Sequence, residues 1–181
     1  MEATFDNDSN VLNARLHASH DNSIIYSIST TSHTLWGPQY TYLRDTNPVL
    51  GGEPITVGTI DWREKTFEIR GERKSIENIK RIPNGLLNES RFWRWSDDRE
   101  EYEIIHEGNF IKKWKAILNG DAEATLSAPF RQQLFGKMKP MTLNLSRAAL
   151  AKDEVFLILV FIYSQTKRQE KMTYVFSAGV W

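Results

Sequence analysis

Cysteine is absent from this sequence, which excludes disulfides, thiol catalysis and cysteine-ligated metals and fits a reducing compartment. Neither sign of charge is in excess. The 23 Lys and Arg balance the 23 Asp and Glu, so no global field draws in nucleic acid or an anionic membrane. Phosphate-cradling glycine loops are missing, since "VLGGEP" at 49–54 lacks a following Lys-Ser or Lys-Thr pair. The G-x-S-x-G elbow of a serine hydrolase is missing too. The opening "MEATFDNDSN" has no apolar h-region, so a secretory signal is not expected. The longest apolar run, Val155–Tyr163, is nine residues. As a helix that is about 14 Å, against a hydrocarbon core of roughly 30 Å, so a transmembrane segment is not expected. These absences predict a cytoplasmic, non-enzymatic protein without a cofactor.

What is present is mostly short, amphipathic and punctuated. Residues 1–10 read as a flexible N-terminal arm of polar side chains. Turn signals then recur, among them "WGP" at 36–38, "NPVLGGEP" at 47–54, "PNG" at 83–85 and "NGD" at 119–121. Between them lie period-two segments. Ile24, Tyr26 and Ile28 share one face and Ser27 and Ser29 the other. Trp93 and Trp95 oppose Phe92 and Arg94, and Met141, Leu143 and Leu145 oppose Thr142 and Asn144. About nine or ten strands of this kind predict an antiparallel meander forming a barrel or sandwich.

The segment 142–178 departs from that rhythm, because it contains neither Gly nor Pro. "SRAALAKDE" is built of helix formers, with Ser146 or Asp153 as N-cap, and Lys167, Arg168 and Lys171 suit a helix C-terminus. The β-branched middle is also compatible with a buried strand; length and flanks favour helix. A helix apolar on every side must be buried on every side, so Val155 to Ile162 should be enclosed by the strands.

The order of these segments resembles an uncharacterised fungal family, common in mushroom-forming species, grouped with the tubby-like and LURP-one-related (scramblase-like) proteins. The resemblance covers roughly residues 11–171 and rests on "NSIIYSIST", "YTYLRD", "TIDWRE", "SRFWRWSDDREEYEI", "AEATLSAP" and "LAKDEVFLILVFIYSQTKRQ", in that order. It implies a mainly β fold: a closed antiparallel β-barrel of about a dozen strands around a central hydrophobic C-terminal helix at about 148–170. The tail 172–181 would lie beyond it as an added strand. The family has no established activity; related families bind phosphoinositides or are associated with lipid scrambling.

Candidate sites are few. His17, His20 and Asp21 read as residues beside a turn, where a metal's convergent ligands are not expected. The acids Asp97, Asp98, Glu100, Glu101 and Glu103 read as a solvated turn, and no catalytic residue is assigned. The strand "FIKKWKAIL" places Lys112, Lys113 and Lys115 beside Trp114, a basic-aromatic pattern suited to an anionic lipid or phosphoinositide headgroup. Trp93 and Trp95 form the second candidate, an aromatic platform for a carbohydrate. A self-associating structural protein using the tail "YVFSAGVW" is the third reading. Nucleic acid is not an expected partner.

Overall fold

The structure, a computed structural model, describes residues 1–7, 10–33, 37–48, 52–83, 90–107, 112–128 and 140–178; the side chains of His33, Lys112 and 172–178 lie outside the description. Thirteen strands and three helices make up the described chain. In order they are β1 (Glu2–Phe5), β2 (Ala14–Ala18), β3 (Ile24–His33), β4 (Gly37–Asp45), β5 (Ile55–Asp61), β6 (Thr66–Ile69) and β7 (Glu72–Ser75). The single turn α1 (Ile76–Ile79) follows, then β8 (Lys80–Arg81), β9 (Arg91–Trp93), β10 (Tyr102–Glu107), β11 (Lys112–Leu118), β12 (Asp121–Ala128) and β13 (Thr142–Leu145). Two helices, α2 (Arg147–Lys152) and α3 (Glu154–Ala178), complete it.

All strands join one antiparallel sheet in the order β7-β6-β5-β4-β3-β2-β1-β13-β12-β11-β10-β9-β8. Two meanders therefore meet in mid-sheet, where β1 pairs with β13. The two edge strands, β7 and β8, are consecutive in the chain and separated only by the four residues of α1. Among the described residues no hydrogen-bonded register joins them, so the expected closed barrel is an open ladder at this seam. The reason is local: Ser75 caps α1 through Glu77 N, and Ile76 and Ile79 turn inward, so helix stands where ladder bonds would form.

The expectation for the apolar run is met. Val155 to Ile162 is helical, and each of its residues is buried. The buried faces of the strands share one core with it and mix small residues, Ala3, Ala14, Ala116, Ala124 and Ala128, with large ones such as Leu16, Phe67, Trp93 and Tyr102. The closest approach to the helix is at Gly58, which lies against Val155 and Leu159. Among the described residues no helix is long and apolar enough to cross a membrane.

Three boundaries differ from those expected. Where a loose arm was expected over 1–10, Glu2–Phe5 is a central strand with Ala3 and Phe5 buried; residues 8–9 lie outside the described residues. The Met1 ammonium donates to the Leu145 carbonyl (2.7 Å) and Leu145 N donates back to Met1 (2.8 Å), which ties the end of the chain down. The helix at 148–170 is two helices, Arg147–Lys152 and Glu154–Ala178, so 172–178 is helical rather than an added strand; 179–181 lie outside the described residues.

Asp153 separates the two helices and is buried. Its backbone N–H donates to Ala149 (2.8 Å), its carbonyl accepts Leu157 N (2.9 Å), and its carboxylate accepts the Tyr102 hydroxyl (2.9 Å). Burial pushes the Tyr102 hydroxyl's pKa up, and the Asp153 carboxylate pushes the same way. Asp153→Ala leaves this hydroxyl without its acceptor and is expected to cost about 1–3 kcal/mol in urea unfolding. Adding Tyr102→Phe to that variant should return part of the loss; a strictly additive double mutant would show that the two groups do not act together.

Candidate functional site

One cavity lies beside Lys167 and Glu170 of α3. It measures about 650 Å³ and is lined by Gly37, Pro38, Gln39, Trp62, Arg63, Lys167 and Glu170. Its floor is made by the turn that joins β5 to β6. Buried Asp61 accepts the backbone N–H of Arg63 (3.1 Å) and Glu64 (2.9 Å) and pairs with Arg73 (2.7 Å). Lys65 closes the turn at φ +52°, a left-handed conformation. One carboxylate thus shapes the turn from within and fixes where Trp62 begins. The adjoining strand β4, whose Gln39 carbonyl accepts Trp62 N (3.1 Å), starts at Gly37, whose φ of +76° only glycine adopts readily.

The Trp62 indole is held by a relay of hydrogen bonds. Its Nε1–H donates to Thr41 Oγ1 (2.8 Å), which lies 2.8 Å from Thr30 Oγ1, and the Thr30 hydroxyl donates to the Leu12 carbonyl (2.7 Å). Because Thr30 spends its proton on Leu12, Thr41 donates to Thr30 and accepts from Trp62. The ring stacks on Tyr163 with centroids 5.5 Å apart and planes at 15°. Tyr163 in turn meets Phe67 and Trp93 edge-on, at 5.8 and 5.7 Å. Lys167 Nζ sits 5.5 Å from the Trp62 ring and pairs with Glu170 (2.8 Å). The result is a preorganised aromatic surface with Arg63 and Lys167 beside it.

A second cavity, about 290 Å³, lies at the opposite end of α3 near Arg70, Glu72, Trp95, Arg99, Asp153 and Glu154. Most of its polar groups are already matched to one another. Trp95 Nε1 donates to Glu72 (3.1 Å), Lys74 to the Trp95 carbonyl (2.9 Å), and Arg99 to the Lys152 carbonyl (2.7 Å). Burial raises the pKa of the Glu154 carboxyl there. This end reads as a structural closure of the core.

For the tryptophans singled out from sequence the structure shows core packing, the alternative to a binding surface on an alternating strand. Trp93 and Trp95 are 1% and 8% exposed, so they are core side chains and cannot present a platform to a sugar. Phe67 stacks on Trp93 and Phe156 packs against Trp95, which leaves no open ring face. Trp114 donates its Nε1–H to Gln165 of α3 (2.9 Å) and meets His106 edge-on, so it ties the strand to the helix. Lys115 is paired with Glu107 (2.6 Å) across the β10–β11 hairpin, and Lys113 is half-buried. The Lys112 side chain lies outside the described residues. The basic strand is therefore partly neutralised, and the cavity at Trp62 is the better-formed site. Nothing in the residue types alone marked Trp62; a buried Asp opening a turn just before it was the available signal.

Comparison with family models, with curated proteins and with solved structures gives no match for this chain.

Proposed function

We propose that the chain is a non-enzymatic binding module that takes an anionic lipid headgroup at the Trp62 cavity. The observation that carries this reading is the locked, half-buried indole beside Arg63 and the Lys167–Glu170 ion pair, in a space of about 650 Å³. A headgroup's negative charge would meet Arg63 and take Lys167 over from Glu170, while the adjoining glycerol and first methylenes lie on the Trp62 ring. Lys113, with Lys112 and Lys115 on the same strand, would add a weaker, longer-range attraction. The site is pre-formed rather than induced, which limits the ordering cost of binding.

The same reading includes the fold. The sheet forms a tubby-like barrel whose seam between β7 and β8 is completed by α1 and by side chains instead of by a ladder. Supporting it are the all-round burial of Val155 to Ile162 and the bonds that Lys74 and Glu72 of β7 make to Trp95, just past β9.

Liposome flotation tests the ligand class. Phosphoinositide-bearing vesicles should carry the protein and neutral vesicles should not. Trp62→Ala and Lys167→Ala should each lower apparent affinity about tenfold, or about 1.4 kcal/mol. Equal flotation on neutral and anionic vesicles would sink the proposal. Binding unaffected by both substitutions would move it to another surface.

A further inference from the structure

The Trp62 cavity carries an anion of its own. Among the described residues that line it, Arg63, Lys167 and Glu170 are charged, and Glu170 is the one acid. The two cations are placed differently. Arg63 is exposed, and among the described residues no ion pair engages its guanidinium. Lys167 Nζ donates to Glu170 Oε2 at 2.8 Å and lies 5.5 Å from the centre of the Trp62 ring. Its ammonium is thus held by a carboxylate and by the indole at once.

The helix does not depend on this pair. The side chains that seat α3, Val155 to Ile162 with Gln165 and Thr166, are buried and precede it in the chain. Lys167 and Glu170 are exposed and three residues apart, with the lysine before the acid, the weaker order for pairs on a helix. Exposed pairs of this kind are weakly held. What the pair does is local: it fixes the Lys167 ammonium at the mouth of the cavity and cancels its charge there.

We propose, on the binding reading above, that Glu170 is an internal competitor that regulates the Trp62 site. It holds Lys167 until the phosphate of a headgroup displaces it. The exchange trades one charge-assisted hydrogen bond for another, so little is gained at Lys167 itself. The displaced carboxylate then stays near the phosphate as a like charge, which lowers affinity further. Dilute anions in solution leave the pair in place, whereas a surface dense in headgroups displaces it by mass action.

The test is flotation of the full chain on phosphoinositide-bearing and neutral vesicles, comparing the parent with Glu170→Gln, Lys167→Ala and the double variant. Glu170→Gln should bind the anionic vesicles about threefold more tightly, on the scale of an exposed pair, and neutral vesicles no better. In the Lys167→Ala background most of that gain should vanish, because Glu170 no longer has an ammonium to hold. Glu53→Gln changes the net charge equally at an exposed acid that lines neither cavity, and should leave affinity unchanged. If the parent binds and Glu170→Gln binds no more tightly, the competitor is overturned and the cavity reading stands. Binding by neither form overturns both. A gain that Glu53→Gln matches, or that survives Lys167→Ala in full, is charge acting at a distance and overturns the competitor alone.

Discussion

Gly58→Val is expected to cost about 2–3 kcal/mol of stability in urea unfolding, at the severe end of overpacking substitutions. Gly58 lies in β5 with Leu43 of β4 as its register partner, on the stretch where the sheet comes closest to α3. A Cβ built at this position would stand 3.0 Å from Leu159 Cδ1 and 3.0 Å from Val155 Cγ1. Both neighbours belong to a helix that is buried all round, so neither can swing outward to make room. Backbone strain is not the cause, since Gly58 is not among the residues with positive φ. The cost should therefore grow with side-chain size, with Gly58→Ala losing about 1 kcal/mol. Leu159→Ala should cost less in the Gly58→Val background than alone, because the added methyls occupy the space that it vacates. A Gly58→Val variant as stable as the parent would mean that the helix and β5 are not in contact.

The same contact shows what could be read in advance and what could not. Alternation along β10, β12 and β13 separates buried from outward residues, because a period of two leaves little choice once one face is apolar. The pairing of Trp93 and Trp95 on one face was legible for that reason; which side that face met was not, and it meets the core. β1 was missed because its four residues show only one alternation, Ala3 and Phe5 against Glu2 and Thr4, within a polar stretch. Gly58 looks like a weak point of a strand until the helix it accommodates is in place.

The site was harder still. Pro38, Trp62 and Lys167 come from three distant parts of the chain, and the relay through Thr41 and Thr30 crosses between strands. No local pattern encodes such convergence. Lys115 illustrates the opposite error: a basic strand looks free in one dimension, but the hairpin register sets Glu107 across from Lys113, within diagonal reach of Lys115, which it pairs and partly neutralises.

Aspartate placed singly at Leu157, Ile158, Leu159 or Val160 is expected to abolish folding at all four positions. Successive residues of an α-helix point about 100° apart, so four in a row sample every side of it. A helix lying on a sheet has an outer face, and at least one of the four would then be tolerated. Here all four are 0–1% exposed. An unpaired buried carboxylate costs several kcal/mol even after relaxation or protonation, against a total of about 5–15 kcal/mol for a typical domain. The buried residues of the strands and of α3 form one cluster, so loss of the helix should expose that core as a whole. Far-ultraviolet circular dichroism and soluble yield report the result, with Lys171→Asp as a control near the exposed turn beyond the core. If any one of the four variants unfolds with the parent's midpoint, that side of α3 faces solvent and the sheet does not enclose it. Uniform failure, set against the tolerated control, is the behaviour of a helix that the rest of the chain is wrapped around.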